Sequence, residues 1–257
     1  MRYLFVSDLH YALKQFDWVS SAATHVDLVI VGGDLLDISS TVDASVQITV
    51  MLRYLRHLAA KTRVIVCSGN HDLDARDADG EKVARWIRKA DAFGVHTDRA
   101  SLDVDGILFT VCPWWDGPCN RAAVAALLAR DAVKPRRRWV WVYHSPPSDS
   151  PTSWIGKRHI GDAELNGWVE QYRPDKVLAG HIHQSPFVKD GSWVDRIGDT
   201  WVFNPGRQIG PQPTRILFDD EEAQALWVSQ AGAEVVDMNM PLQRPVSEAS
   251  EVPLWIR

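Results

Sequence analysis

Four short stretches, Asp8-Leu9-His10, Gly69-Asn70-His71-Asp72, Tyr143-His144-Ser145 and Gly180-His181-Ile182-His183, contain five of the nine histidines, and each directly follows an apolar run. A fifth apolar run, Asp27 to Val31, ends in Gly32-Gly33-Asp34. Carboxylate, carboxamide and imidazole share one ability: each presents an oxygen or nitrogen lone pair to a divalent cation. In extended backbone, side chains two apart point the same way. Asp8 and His10 are therefore expected to share one target, and His181 and His183 likewise. Asn70 and His71 are adjacent and should diverge, one serving the shared centre and the other facing whatever binds beside it. Two aspartates, an asparagine and four histidines, before His71 is counted, would be costly to bury without a common partner. A pair of divalent cations supplies that partner. Nitrogen and oxygen donors without thiolate suit manganese, iron or zinc. His25, His57 and His96 fall in no cluster and read as ordinary surface or core histidines.

These residues need a scaffold that brings distant positions together. Runs rich in valine, isoleucine and aromatics at 3–6, 27–31, 63–67, 107–112, 139–143 and 176–179 have the length and flanks of strands buried on both faces. Helical stripes lie between most of them. Ile48, Met51, Leu52, Leu55, Leu58 and Ala59 form one; Val83, Trp86, Ile87 and Ala90, closed by Gly94, form a second. An alanine-rich helix follows Pro118, and Leu165, Trp168, Val169 and Tyr172 make a fourth stripe, stopped by Pro174. Alternating strand and helix predict an α/β domain with a mostly parallel sheet, whose C-terminal strand ends gather along one edge. That edge is the expected active site.

Beyond residue 185 the pattern changes to short strands with a Gly198-Asp199 turn, expected to form antiparallel hairpins completing a second sheet. Residues 232–257 show no clear periodicity and contain three prolines, so they read as a surface-running tail behind a domain spanning 1–231.

A chain of 257 residues can bury one large core. Its 28 basic and 33 acidic residues argue against indiscriminate nucleic-acid binding, and the one dense basic run, 134–138, reads as a solvated strand entry. No run of about 18 apolar residues is available to cross a bilayer. The N-terminus lacks the long apolar segment of a secretory signal, and Cys67, Cys112 and Cys119 are odd in number without metal-type spacing. A cytoplasmic protein with reduced thiols is expected.

With these motifs in order (DLH, GGD, GNHD, the histidine of YHSPP, and GHIH), the sequence resembles the calcineurin-like metallophosphoesterases over residues 8–183. The resemblance implies a four-layer α/β/β/α sandwich with two central mixed sheets and two metal ions at the sheet edge. By motif position, Asp8, His10, Asp34 and His183 would hold the first ion. Asp34 would bridge, its two oxygens reaching both ions, and Asn70, His144 and His181 would complete the second site. His71 matches the family's non-ligand histidine. The GDLLDIS and GNHD segments depart from the GDxxDRG and GNHE patterns of the serine/threonine protein phosphatases. They look more like those of small bacterial-type phosphodiesterases and phosphomonoesterases.

The chemistry expected on that arrangement is hydrolysis of phosphomono- or phosphodiesters by in-line attack of a metal-bridging hydroxide. His71 would stabilise the phosphoryl oxygens and protonate the leaving alkoxide. Asp72, the second candidate catalytic residue, either orients His71 or faces outward as a helix cap. Asp37 has the same ambiguity, with local backbone bonding favoured. Loops after the strands offer substrate contacts: Trp115, with Trp114 beside it, in PWWDGP; Arg158 and His159 in the loop after His144; and Arg207 in NPGRQ. A small phosphate ester, with nucleotides among the candidates, is the expected partner. The rival reading is a catalytically inactive metal-binding scaffold of the same fold. Nucleophilic catalysis by Ser145 beside His144 has no orienting third residue to support it.

Overall fold

The computed structural model describes residues 1–256. Its two main sheets are both mixed. The first has eight strands, with Arg2–Val6, Leu28–Gly32, Arg63–Cys67 and Val95–His96 parallel in that order, and Arg215–Asp219, Gln224–Ser229, Gly232–Asp237 and Ser247–Glu248 added antiparallel on the far side of Arg2–Val6. The second has six strands. Ile107–Val111, Arg138–Val142, Lys176–Leu178 and Thr200–Phe203 run parallel, and Ser101–Val104 and Val194–Ile197 close the two edges antiparallel.

Strand alternation distributes the core. Tyr3 and Phe5 point to one face of the first sheet and Leu4 and Val6 to the other. The first pair joins Ile30, Ile65, Phe109, Val140, Leu178 and Phe203 in a core shared by both sheets. The second packs with Phe16 and Val19 of helix Leu13–Ala22 and with Met51, Leu55 and Leu58 of helix Ala44–Ala59. The other face of the second sheet, with Trp139, Trp141 and Val177, is covered by helices Pro118–Ala132 and Ala163–Tyr172. The N-terminal ends of the strands are tied by a buried ion pair: Lys176 Nζ donates to Asp220 Oδ1 at 2.5 Å and to the Tyr3 hydroxyl at 2.9 Å. At the opposite ends, register keeps the strands level. Val6 faces Val31 and Val31 faces Val66 in one sheet, while Val142 faces Val111 and Leu178 in the other.

Three expectations change. Val83, Trp86, Ile87 and Ala90 do not share an α-helix: Lys82–Val83 is a short strand, and a 3-10 helix spans Ile87–Phe93, ending at Gly94. Trp86 explains the difference, because its backbone N–H goes to Asp74 Oδ1 (3.1 Å) and its indole N–H to the Asp72 carbonyl (2.9 Å), tying the chain to the GNHD loop. The hairpins after residue 185 do not complete one sheet. The Val194–Ile197/Thr200–Phe203 pair joins the second sheet and the Arg215–Asp219/Gln224–Ser229 pair the first. Residues 232–256 are also not a mere surface tail, since Gly232–Asp237 extends the first sheet, and Ile256 is fully buried.

Ile256 matters through its carbonyl, which accepts from the buried Arg215 guanidinium (Nε at 2.6 Å). That guanidinium also bonds the Pro213 carbonyl and lies 4.6 Å from the Trp18 ring. A chain ending at residue 250 would leave much of this charge unsatisfied, at a cost of about 2–4 kcal/mol. Urea denaturation should show that loss, and Arg215→Met in the shortened chain should recover part of it. An unchanged midpoint in the shortened chain would refute the anchoring role.

Candidate metal centre

The loops that follow the level strand ends carry the clustered residues, and backbone hydrogen bonds lock the loops together. Asp8 N–H donates to the Gly33 carbonyl (3.1 Å) and His10 N–H to the Asp34 carbonyl (2.9 Å); in the second sheet, Gly180 N–H donates to the His144 carbonyl (2.7 Å). Two bonds join the sheets. His181 N–H points at both Asp8 carboxylate oxygens (3.1 Å each), and His144 Nδ1 lies 2.6 Å from the Gly32 carbonyl.

The side chains converge, but by a different route from strand alternation. The strands end at Val6, Gly32 and Leu178, before the donors begin. Asp8, His10, Asp34 and His181 then all adopt left-handed backbone, with φ of 57°, 41°, 54° and 67°. These turns re-aim each side chain individually. Such conformations are uncommon for residues other than glycine, and their concentration at one point is typical of sites where surrounding structure holds strain in place.

Two groups of donors result, Asp8, His10, Asp34 and His183 in one and Asp34, His144 and His181 in the other. His10 Nε2 and His183 Nε2 face each other at 3.0 Å, and His183 Nε2 is 3.2 Å from Asp8 Oδ1. Asp34 belongs to both groups, and its Oδ2 lies 3.7 Å from His10 Nε2 and 3.2 Å from His144 Nε2. Its Oδ1 also accepts the His71 backbone N–H at 2.8 Å. Asn70, the remaining donor, sits in the 3-10 turn Asn70–Asp72, with its Oδ1 buried and unpartnered.

Electrostatics follow from burial. It holds the His10 and His181 imidazoles down to about 4, which keeps them neutral with a free lone pair. His144 differs. Burial opposes its charge, but the Asp34 and Asp8 carboxylates outweigh that and raise its pKa to about 10. With Nδ1–H donated to Gly32, the nitrogen left for a ligand is Nε2, which is buried without a hydrogen-bond partner. Orphaned buried atoms at His144 and Asn70, beside two carboxylates whose ion-pair partners among the described residues are all histidines, fit divalent cations.

Asp72 is neither an outward-facing cap nor a partner of His71. It is fully buried, and its carboxylate accepts four backbone N–H groups, from Asp34, Leu35, Leu36 and Gly69, at 2.8 to 3.0 Å. Burial and the neighbouring Asp34 charge push its pKa up to about 7, against the pull of those bonds. His71 lies at the rim, its ring 4.5 Å from that of His10 and its Nε2 3.9 Å from Asp34 Oδ2. Asp37 caps its own turn by accepting the Ser39 N–H at 2.8 Å, and also lies within reach of His10 and His71. The motif glycines have steric reasons. A Cβ on Gly69 would overlap Asp34 Oδ1, and one on Gly180 would overlap Ser7 Oγ and Asp8 Oδ2.

A model of the family described as calcineurin-like phosphoesterase matches residues 1–185. The chain belongs to that family. Among solved structures, TT1561 of Thermus thermophilus is similar over 92% of this chain and 98% of its own, with a TM-score of 0.58 at 15% identity. Purple acid phosphatase PPD1 from yellow lupin (Lupinus luteus) seeds is similar over 93% of this chain and 52% of its own, with a TM-score of 0.54 at 12% identity. At those identities the likeness is one of fold. No curated protein matches the sequence.

Within this phosphoesterase fold the expected substrate contacts divide. Arg207 stands by the first donor group: its N–H bonds the His183 carbonyl (2.9 Å) and its charge acts on His10. Trp115 lines a cleft beside His181, with its indole N–H on Asp162 Oδ2 (2.9 Å). Arg158 and His159 belong to an exposed loop closed by a Trp154–His159 bridge, where His159 Nδ1 is engaged by the Ser150 carbonyl and Ser153 Oγ. Neither is among the residues that line the cleft. Trp114 lies nearer the donors than these, with ring centroids 5.2 Å from His181 and 5.7 Å from His144. Ser7, whose hydroxyl bonds Asp8, and Asp162 carry no motif signal that sequence could supply.

Replacing Asp72 by alanine strands four buried N–H groups. A loss of about 3 kcal/mol or more in chemical denaturation is expected, together with weaker manganese binding by calorimetry. Retention of both properties would show that the loops hold without it.

Proposed function

We propose that this chain is a dinuclear metal-dependent phosphoesterase that hydrolyses small phosphomono- or phosphodiesters. The observation that carries this reading is Asp34, shared by two donor groups of which one holds the buried, unpartnered His144 Nε2. Asp8, His10, Asp34 and His183 would hold one divalent cation, and Asp34, Asn70, His144 and His181 the other. Manganese, iron and zinc all suit such donors. Bound cations would supply Lewis acidity toward phosphoryl oxygens and a nucleophile drawn from water near neutral pH.

The chain's own residues do the rest. His144 is held as the Nε2-donating tautomer by Gly32, and Asp72 keeps the GGD and GNHD loops in register so that Asp34 stays between the groups. His71 would donate a proton to the leaving oxygen, a role supported by its part-exposed position 3.9 Å from Asp34, and Asp72 does not orient it. Arg207, whose charge reaches His10, would attract the phosphoryl group. Asp72 is thus a positioning residue. No helix among the described residues is long and apolar enough to cross a membrane, in keeping with a small soluble ester as substrate and a cytoplasmic setting.

The test is a panel of aryl mono- and diesters and cyclic nucleotides, offered to the protein reconstituted with manganese, iron or zinc. Turnover should vanish on chelation and return with metal. His71→Asn should lower kcat by about 10²- to 10⁴-fold while elemental analysis still finds two ions per chain. Asp34→Asn should lose metal from both sites. Activity that survives complete chelation would sink the reading, as would an Asp34→Asn protein with a full metal complement.

A further inference from the structure

We infer that the cleft on the His181 side of the donor cluster is the leaving-group subsite, and that it selects a flat group carrying no negative charge. This rests on the phosphoesterase reading above. The cleft has a volume of about 550 Å³ and runs outward from His181. Trp114 forms the wall next to the donors, its ring within 6 Å of both His144 and His181. An ester whose phosphorus sits at the donor cluster, with its leaving oxygen toward His71 beside the shared Asp34 and its alcohol portion turned to this side, passes along that indole. Trp115 also lines the cleft and is fixed in place by donating to Asp162 Oδ2 at 2.9 Å, an oxygen that the buried Tyr143 hydroxyl holds at 2.7 Å. Held aromatic walls stack on planar groups at little entropic cost.

Charge narrows the class. Three carboxylates line the cleft, from Asp116, Asp162 and Glu164, and no lysine or arginine does. Glu164 is matched by Arg121 at 2.7 Å, whose guanidinium also lies 5.9 Å from the Trp115 ring. Asp162 is nearly buried, yet every donor it receives is neutral: the two side chains above and the N–H groups of Glu164 and Leu165. Asp116 is exposed and takes only the Lys82 backbone N–H, at 3.1 Å. Two negative charges therefore act on the cleft without a cation. A second phosphate or a carboxylate on the leaving group is repelled there, while a neutral or cationic ring is accepted. Arg207 is instead associated with the first donor group, its backbone N–H on the His183 carbonyl and its charge acting on His10.

The experiment uses four esters with the same reacting phosphoryl group: phenyl, 4-carboxyphenyl and 4-trimethylammoniophenyl phosphate, and glycerol phosphate, each also made as a methyl diester. Ratios of variant to wild-type kcat/KM cancel intrinsic reactivity. Asp116→Lys should raise the carboxyphenyl ratio and lower the trimethylammonio ratio, each by about tenfold, and leave the phenyl ratio near one. Asp116→Asn should shift both in the same directions by less, which guards against a folding defect. Trp114→Leu should lower the three aryl esters and spare the glycerol ester. Separately, equilibrium dialysis of phenyltrimethylammonium with metal-free protein should show binding that Asp116→Lys abolishes. Turnover whose variant ratios ignore the substituent's charge, or a Trp114→Leu loss equal for aryl and glycerol esters, overturns the subsite. If no ester is turned over while Asp116-dependent dialysis binding persists, the cleft assignment stands and the phosphoesterase reading falls.

Discussion

Two buried carboxylates and a set of buried imidazole nitrogens face one another, the carboxylates paired among the described residues with histidines alone, and the local architecture of this protein answers to that constraint. Water cannot solvate Asp8 and Asp34 where they lie, so their charge must be met by protein dipoles and by something positive between them. Protein dipoles meet part of it: the His181 N–H and Ser7 hydroxyl on Asp8, and the His71 N–H on Asp34. The rest appears in the raised affinity of His144 for a proton despite complete burial. A site that draws a proton into its centre against desolvation has the field that a divalent cation would satisfy more fully.

Holding that arrangement costs backbone strain. Asp8, His10, Tyr11, Asp34 and His181 all have positive φ, at about 1 kcal/mol or more apiece for a residue with a Cβ. The strain persists because each end of each loop is fixed. Strand ends are levelled by register, and Asp72 gathers four N–H groups from two loops at once. Trp86, fully buried, secures the segment behind Asp72 through its indole. Removing water and adding rigid neighbours is what lets turns of this kind present donor atoms about 3 Å apart.

Much of this was legible in the sequence, though not always for the right reason. The six main strands and the motif residues after them are readable because buried parallel strands are continuous apolar runs, and packing alone gives no cause to gather imidazoles and carboxylates at their ends. Asp8 and His10 share a donor group as expected, though left-handed turns beyond the strand end and not strand alternation bring them there, whereas His181 and His183 fall in different groups for the same reason. Aspartate and histidine tolerate such turns without a glycine to announce them. The split of the C-terminal hairpins between two sheets could not be read, since alternation looks the same in either sheet. Arg158 and His159 look functional by type, but local bonds to Ser150 and Ser153 occupy His159, and only coordinates reveal that. Gly232–Asp237 is hard to read because its core face pairs Val236 with a charged Glu234, bound to the Trp193 indole, and because the strand begins at a glycine.

The environment of the centre is unequal on its two sides, and the inequality originates in the two sheets. The first group takes Asp8, His10 and Asp34 from loops of the first sheet, and Arg207 reaches it from the loop after Thr200–Phe203. The second group takes His144 and His181 from the second sheet, whose following loops carry Asp162 and whose neighbouring loop carries Trp114. Asp162 also caps helix Ala163–Tyr172 by accepting the Glu164 and Leu165 N–H groups. One carboxylate thus starts a helix, fixes an indole and a phenol, and sets the sign of the field in the cleft. Its charge is indispensable to the cap and cannot be neutralised locally without loosening the aromatic walls. Cationic on one side and anionic on the other, the centre has an electrostatic direction before any substrate arrives. A phosphate ester is itself polarised in this way, with its charge on the phosphoryl oxygens and little on the alcohol, so the field favours one orientation of the ester across the shared Asp34 over its reverse.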